Sequence, residues 1–291
     1  MIVWLASYPR SGSKLIRAVL RQTMSLVTYS DNRSRRPFAM QPGDLARYCD
    51  ILGLQERAVP WDQFYMEATK CRETFLVKTH DPPRDDQPVI HIVRDGRLAL
   101  QSYLLFNRKV HSHHLKTLFD LILGDDRFGD WSKHFFSWAE RPSGRYLLIR
   151  FEDLVNPSDS LLCNIATFIQ YRGPIQKWRN PFDELKRIAP WQYGNGDIEW
   201  RPNELWSPKT SWAFWMLHGR LMRALGYATH ETVRQETSAT PAGMAPYLLS
   251  RTAGLLAKMN EMARMCEQKE AVIQELKAEC TNRLALIKRI R

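Results

Sequence analysis

The first 24 residues divide into two elements by the spacing of their apolar positions. Residues 2–6 are an unbroken apolar run that gives way to the polar turn Ser7-Tyr8-Pro9-Arg10-Ser11-Gly12. From there Leu15, Ile16, Val19, Leu20 and Met24 recur at helical spacing. The pattern predicts strand, turn, helix. Comparable apolar runs at 75–77, 89–93 and 146–151 predict further strands; the first of these leads into Lys78-Thr79-His80 and the second into Arg94-Asp95-Gly96-Arg97. Helical patterns fall between and after them at 98–106, 131–140 and 158–169, with Asn156-Pro157 as the expected cap and first turn of the last. Strands alternating with helices predict an α/β fold with a mostly parallel sheet, whose strand-end loops gather into one crevice.

The remaining segments lack such periodicity. Residues 29–42 and 111–130 are expected to be loops or lids, and 178–208, rich in Trp, Pro, Gly and Asn, an irregular segment over the core. A helix is predicted over 208–225, stopped by Gly226. Residues 229–246 have a linker's composition, so the chain is expected to divide into a catalytic-sized domain over 1–228, a linker over 229–246 and a C-terminal helix over 247–291. In that last part Met259, Cys266, Ile273, Cys280 and Ile287, with Met262, Leu276 and Ile290, mark a heptad seam interrupted by Lys269 and Arg283. The seam predicts a homo-oligomeric coiled coil slightly ahead of a single amphipathic helix.

Composition narrows the classes of function. At 291 residues, with 44% hydrophobic and 25% charged positions, the chain reads as globular, and it has no run approaching the roughly 18 apolar residues of a membrane span. Forty-two Lys and Arg against 31 Asp and Glu give a net charge of +11, which suits an anionic partner. No nucleic-acid reader fold or basic-aromatic stripe accompanies that charge, so no specific nucleic-acid partner is expected, and peripheral membrane contact stays open. Five cysteines without a C-x-x-C spacing support neither a disulfide framework nor a zinc knuckle, and no secretory leader is recognisable; a cytoplasmic setting is the expectation.

Three short segments carry candidate chemistry. In the turn before the first helix, Arg10, Ser11, Gly12, Ser13 and Lys14 form an anion cradle in which free helix N–H groups add to the side chains, although it is not a G-x-x-x-x-G-K-S/T loop. Lys78 and His80, two apart on an extended segment, project to one side as a cation and a near-neutral base. Arg94 offers a fork of donors for phosphate, completed by Ser102; Asp95 is equally suited to cap the helix, and Arg97 to form an ion pair. His111, His113 and His114 have no definite carboxylate or cysteine partner for a metal, so exposed loop histidines are the default and no metal is expected.

Taken together, these segments resemble those of sulfotransferases that use 3'-phosphoadenosine 5'-phosphosulfate, of the bacterial type acting on small molecules or glycans. WLASYPRSGSKLIR resembles their 5'-phosphosulfate loop and HIVRDGRLALQSY their 3'-phosphate motif, with KTH between; FGDWSKHFFSW and YLLIRFEDL are similar to later segments. The resemblance covers about residues 1–227. It implies a fold related to P-loop kinases and transfer of a sulfuryl group to a hydroxyl, less readily an amine, of a small-molecule, lipid or glycan acceptor. By the same resemblance Arg10, Ser11, Gly12 and Ser13 surround the 5'-phosphate, Arg94 and Ser102 hold the 3'-phosphate, Arg10 and Lys78 are catalytic in stabilising charge on the phosphate oxygen, and His80 is the catalytic base. The chain departs in having Lys14-Leu15 where family members carry threonine and tryptophan. It also has Trp191-Gln192-Tyr193-Gly194 in place of a later basic motif, with Arg187 and Arg201 the nearest cations. Trp178, Phe182, Trp191, Tyr193, Trp200 and Trp206 are candidates for an acceptor entrance or for packing. The alternatives are a magnesium-dependent nucleotide or small-molecule kinase, and a noncatalytic anion-binding assembly protein.

Overall fold

The computed structural model describes residues 1–31, 40–110, 116–141 and 144–246, together with Arg264 and Gln268. The elements in chain order are β1 (Ile2–Ser7), α1 (Ser13–Met24), β2 (Tyr29–Ser30), α2 (Pro42–Ile51), α3 (Trp61–Lys70), β3 (Phe75–Thr79), β4 (Val89–Val93) and α4 (Gly96–Val110). They continue with α5 (Leu118–Ile122), α6 (Trp131–Ala139), β5 (Tyr146–Arg150), α7 (Phe151–Val155), α8 (Asp159–Phe168), α9 (Phe182–Ile188), α10 (Pro208–Ala224) and α11 (His230–Thr237). All five strands are parallel, in the order β2-β3-β1-β4-β5.

The period of two along β1 explains why the sheet is covered on both faces. Val3 and Leu5 pack with Ile16, Val19 and Leu20 of α1 and Leu162 and Ile165 of α8. Ile2, Trp4 and Ala6 pack on the opposite face with Phe64 and Ala68 of α3 and Trp138 of α6. Every residue of β1 is buried, and each fully buried Ile, Leu or Val contributes roughly 1.5–3 kcal/mol. A third cluster joins Ala18, Tyr48, Ile51, Leu185 and Ile188, holding α2 and α9 to α1.

The register sets up the crevice. Ala6 pairs with Thr79 and Ser7 with Ile92, so the chain leaves β1, β3 and β4 at one edge, bringing residues 8–12, His80 and Arg94 together.

Five local expectations are corrected. Helix α8 is capped by Ser158, which accepts from Leu161 N at 3.2 Å, so Asn156-Pro157 lies before the cap. The 29–42 stretch opens with β2 and the 111–130 stretch contains α5. The 178–208 segment contains α9, whose Leu185 and Ile188 bury against α2. Within 229–246, residues 230–237 form α11, capped by Thr229, and its Val233 packs against Gly219 of α10. The chain divides into Met1–Ser238 and Ala239–Arg291. In the second unit Met244 N donates to Pro241 O at 3.1 Å, and Arg264 and Gln268 are helical. The heptad seam lies outside the described residues. No helix of the described residues is long and apolar enough to cross a membrane.

Candidate active site

The turn from β1 to α1 is built around two left-handed residues. Arg10 has φ +66° and Gly12 φ +114°. A Cβ on Gly12 would stand 2.9 Å from Phe151 Cδ2 and 3.2 Å from Ile92 Cγ2, so glycine is required by the walls of the fold as well as by φ. The close approach that glycine permits here includes that of Phe151 and Ile92. Ser11 N donates back to Tyr8 O at 3.1 Å, and the first bond along α1 is Ile16 N to Gly12 O at 3.1 Å. Helix α1 has no side-chain cap and no acid in its first turn, so its leading N–H groups lack an intrahelical acceptor. Ser11 Oγ is buried without a hydrogen-bond partner. Unpartnered donors at the positive end of a twelve-residue helix are what an anionic oxygen would satisfy.

Cations surround this turn. Burial first, and then Arg10, Lys78 and Arg17, push the Lys14 ammonium well below its usual range. Lys78 is brought down to about 8, again by burial first, with Asp31 opposing the shift. Arg17 is tied to the frame: its Nε donates to Thr28 Oγ1 at 2.6 Å and a second nitrogen to Tyr29 O at 3.2 Å. Like charges brought together and desolvated this way favour a multivalent anion as the missing counter-charge.

His80 lies directly beside the turn. Its Nδ1 is 2.6 Å from Ser7 O. A carbonyl oxygen only accepts, so Nδ1 carries the ring proton and Nε2 keeps a lone pair. Burial, followed by the charge of Lys78, holds the ring well below the ordinary histidine range, outweighing the opposing bond to Ser7, so the imidazole is neutral at pH 7. The 124–130 loop supplies one wall: the Phe128 ring stands edge-on to His80 at 5.7 Å, and Arg127 pairs with Asp81 at 3.0 Å.

The residues after β4 divide in two. Arg94 joins the site: one terminal nitrogen donates to Arg10 O at 3.2 Å, the other to Asp197 O at 2.5 Å, and the guanidinium lies 4.3 Å from the Phe151 ring centroid. Its Nε is buried without a partner. Asp95 and Arg97 bind each other instead, at 2.6 Å, and Asp95 also accepts from Arg97 N at 2.9 Å. Ser102 is reached by Arg10, whose Nε donates to its Oγ at 3.2 Å; Arg10 also donates to Gln192 O at 2.6 Å and lies 4.9 Å from the Phe106 ring centroid. The Arg10 side chain therefore joins the Ser102 and Arg94 side of the crevice, while its backbone belongs to the turn.

Residues 2–187 match the family described as Sulfotransferase domain. The chain belongs to the sulfotransferase domain family. It is accordingly a sulfotransferase-type catalytic domain, and the kinase and assembly classes give way to that assignment. No curated protein matches the chain. Among solved structures it is similar to mouse sulfotransferase SULT7A1 complexed with PAP, at 16% identity and a TM-score of 0.48, over 81% of this chain and 87% of that one.

Several features of this sulfotransferase domain were not evident from residue types. The 178–208 segment meets the site through the carbonyls of Gln192 and Asp197, whereas Arg187 and Arg201 are exposed. Main-chain acceptors leave no mark in a sequence. The tryptophans of that segment serve packing: Trp178 lies against two core clusters and donates to Val155 O at 3.1 Å, and Trp206 stands between Trp200 and Phe214. Tyr193 instead stacks beneath Lys14, whose Nζ is 5.3 Å from the ring centroid. Tyr8 and His134, whose rings meet edge-on at 5.6 Å, had only their place in motifs to mark them. His111, His113 and His114 lie outside the described residues; among those described, no group of three or more His, Cys, Asp or Glu could hold a metal ion.

Proposed function

We propose that this sulfotransferase domain takes its sulfuryl group from 3'-phosphoadenosine 5'-phosphosulfate and passes it to a hydroxyl of a small-molecule, lipid or glycan acceptor, with His80 as general base. The observation that carries this reading is the 2.6 Å contact from His80 Nδ1 to Ser7 O, which leaves the Nε2 lone pair available beside the cation-rich turn. The donor set also fits two separated phosphates. Ser11 Oγ and the open end of α1 supply one group of donors, and Arg94 Nε with the Ser102 hydroxyl supplies the other.

When bound, the donor contributes an activated sulfuryl group, and the chain's own residues do the rest. The first-turn N–H groups, Ser11, Ser13 and Lys14 hold the 5'-phosphate, with Gly12 shaping the turn. Arg94 and Ser102 hold the 3'-phosphate, and Arg10 spans the two. His80 Nε2 removes the acceptor hydroxyl proton, while Lys78 and Lys14 stabilise negative charge on the phosphate side. A catalytic domain that runs on through α11, a homo-oligomeric contact through residues 247–291 and a cytoplasmic setting are part of the same proposal, the first supported by the compact unit Met1–Ser238 and the other two by the sequence patterns that suggested them.

The test is calorimetric titration with 3'-phosphoadenosine 5'-phosphate against adenosine 5'-phosphate, with and without magnesium. Saturable, metal-independent binding that needs the 3'-phosphate is expected; no binding by folded protein would overturn the donor assignment. Turnover in His80→Ala should fall by about 10²–10⁴, the usual share of a general base, with nucleotide affinity little changed.

A further inference from the structure

His80 stands one residue beyond the end of β3. The ladder with β1 closes at the pair Ala6 and Thr79, so the carbonyls of His80 and Asp81 lie past the last paired residue. Buried carbonyls need donors, and one helix supplies both. His134 Nε2 donates to His80 O at 3.0 Å, and Trp138 Nε1 donates to Asp81 O at 3.2 Å. These donors are four residues apart on α6 and therefore lie one turn apart on the same helix face. Two successive carbonyls met by donors at this spacing fix the direction of the chain where the His80 side chain leaves it.

The clamp is rigid. His134 is 4% exposed and meets the edge of Tyr8 at 5.6 Å; Trp138 is 1% exposed and packs against Trp4 at 6.4 Å. Because a carbonyl only accepts, His134 carries its proton on Nε2, and its Nδ1 is buried without a partner. An unsatisfied buried nitrogen is destabilising, and phenylalanine would fill the same space without one. The hydrogen bond to the main chain of His80 is the compensating feature. Thr79 Oγ1 secures the same turn by accepting from Asp81 N at 3.0 Å while donating to Asp31.

We propose that His134 and Trp138 are positioning residues for the base: their two N–H groups hold the His80 main chain so that its Nδ1–H meets Ser7 O and its Nε2 lone pair faces the acceptor. The proposal rests on the reading of His80 as general base. It also gives a role to the FGDWSKHFFSW segment, which contributes both donors.

The test is ring-¹⁵N NMR of the full chain labelled at histidine, with the His80 signals assigned by their loss in His80→Gln. Wild-type His80 should show the Nδ1–H tautomer alone. In His134→Leu its signals should move toward the tautomer mixture of a free imidazole, and His134→Gln, whose amide N–H can replace the lost donor, should restore most of the shift. Trp138→Phe keeps an aromatic ring but loses the donor and part of the buried indole volume; a smaller tautomer shift in the same direction is expected, in a protein that stays folded at about 25 °C with a lowered melting temperature. If His134→Leu does not fold, Trp138→Phe decides alone. A wild-type His80 in any other tautomer would remove the base reading itself. A correct wild-type tautomer that folded variants leave unchanged would overturn the clamp and leave the base reading standing.

Discussion

The turn before α1 and the turn before α4 both carry the chain from a buried central strand into a helix, yet their electrostatics are opposite. At α1 the first turn holds no acid, the cap makes no side-chain bond, and Arg10, Lys14 and Lys78 crowd around it. At α4 the carboxylate of Asp95 already accepts from Arg97 N at 2.9 Å and pairs with the Arg97 guanidinium. One helix end is open to an external anion, while the other is closed by an anion of its own. Shared topology therefore does not make two helix-end anion sites; after β4 the spare donor is a side-chain one, the buried, unpartnered Nε of Arg94.

Making the first turn like the second is the harshest test of this contrast. Ser13→Asp would place a carboxylate at the open end of α1, where it is stabilising for an isolated helix by about 0.3–1 kcal/mol. Stability should hold or rise slightly, while affinity for 3'-phosphoadenosine 5'-phosphate falls by about 100-fold or more; retained affinity in titration calorimetry would show that the helix end is not where the anion sits. Gly12→Ala attacks the same turn by shape, forcing a Cβ toward Phe151 at positive φ. Here binding should weaken by about tenfold or more and stability by about 1–3 kcal/mol, read from calorimetry and denaturant unfolding.

Opening the second turn should do the reverse. In Asp95→Ala the Arg97 guanidinium loses its partner among Trp200 and Trp215, so a stability loss of about 1–3 kcal/mol is expected with less than a threefold change in nucleotide affinity. An affinity loss like that of Ser13→Asp would put the two turns on the same footing.

The mildest effect is protonic. Burial and like charges lower Lys14 and bring Lys78 to about 8, so a bound anion must raise both. Nucleotide binding should take up protons, more at and above pH 8, where free Lys78 gives up its proton, and less toward pH 6, where Lys78 is already charged. Calorimetry in buffers of different ionisation enthalpy reads the sign directly; proton release would contradict the placement of the anion beside these lysines.

The legible parts of this molecule were those that repeat or punctuate. The four main strands, α1 and α10 with its stop at Gly226 carry unbroken apolar runs or regular helical spacing, and all lie where the pattern put them. Helices α2 and α3 were missed because only Tyr48 and Ile51 of the one, and Phe64 and Ala68 of the other, are buried, too few for a periodic stripe. Helix α11 buries no residue at all, and its polar composition looked like a linker. The six aromatic residues of the 178–208 segment gave composition without direction: only packing shows that Trp178 and Trp206 fill the frame.

The sequence by itself determined the order of the four main strands and of the helices with a regular apolar stripe, and the chemical types at three strand ends, because both follow from neighbours a few residues apart. Tertiary structure alone decided how those ends act together. The register that sets His80 beside Ser7, the carbonyls of Gln192 and Asp197 that hold Arg10 and Arg94, and the α6 donors behind the base are contacts between main chain and side chain across 54 to 182 residues. Main-chain groups are the same at every position, so their partners are chosen by the path of the folded chain.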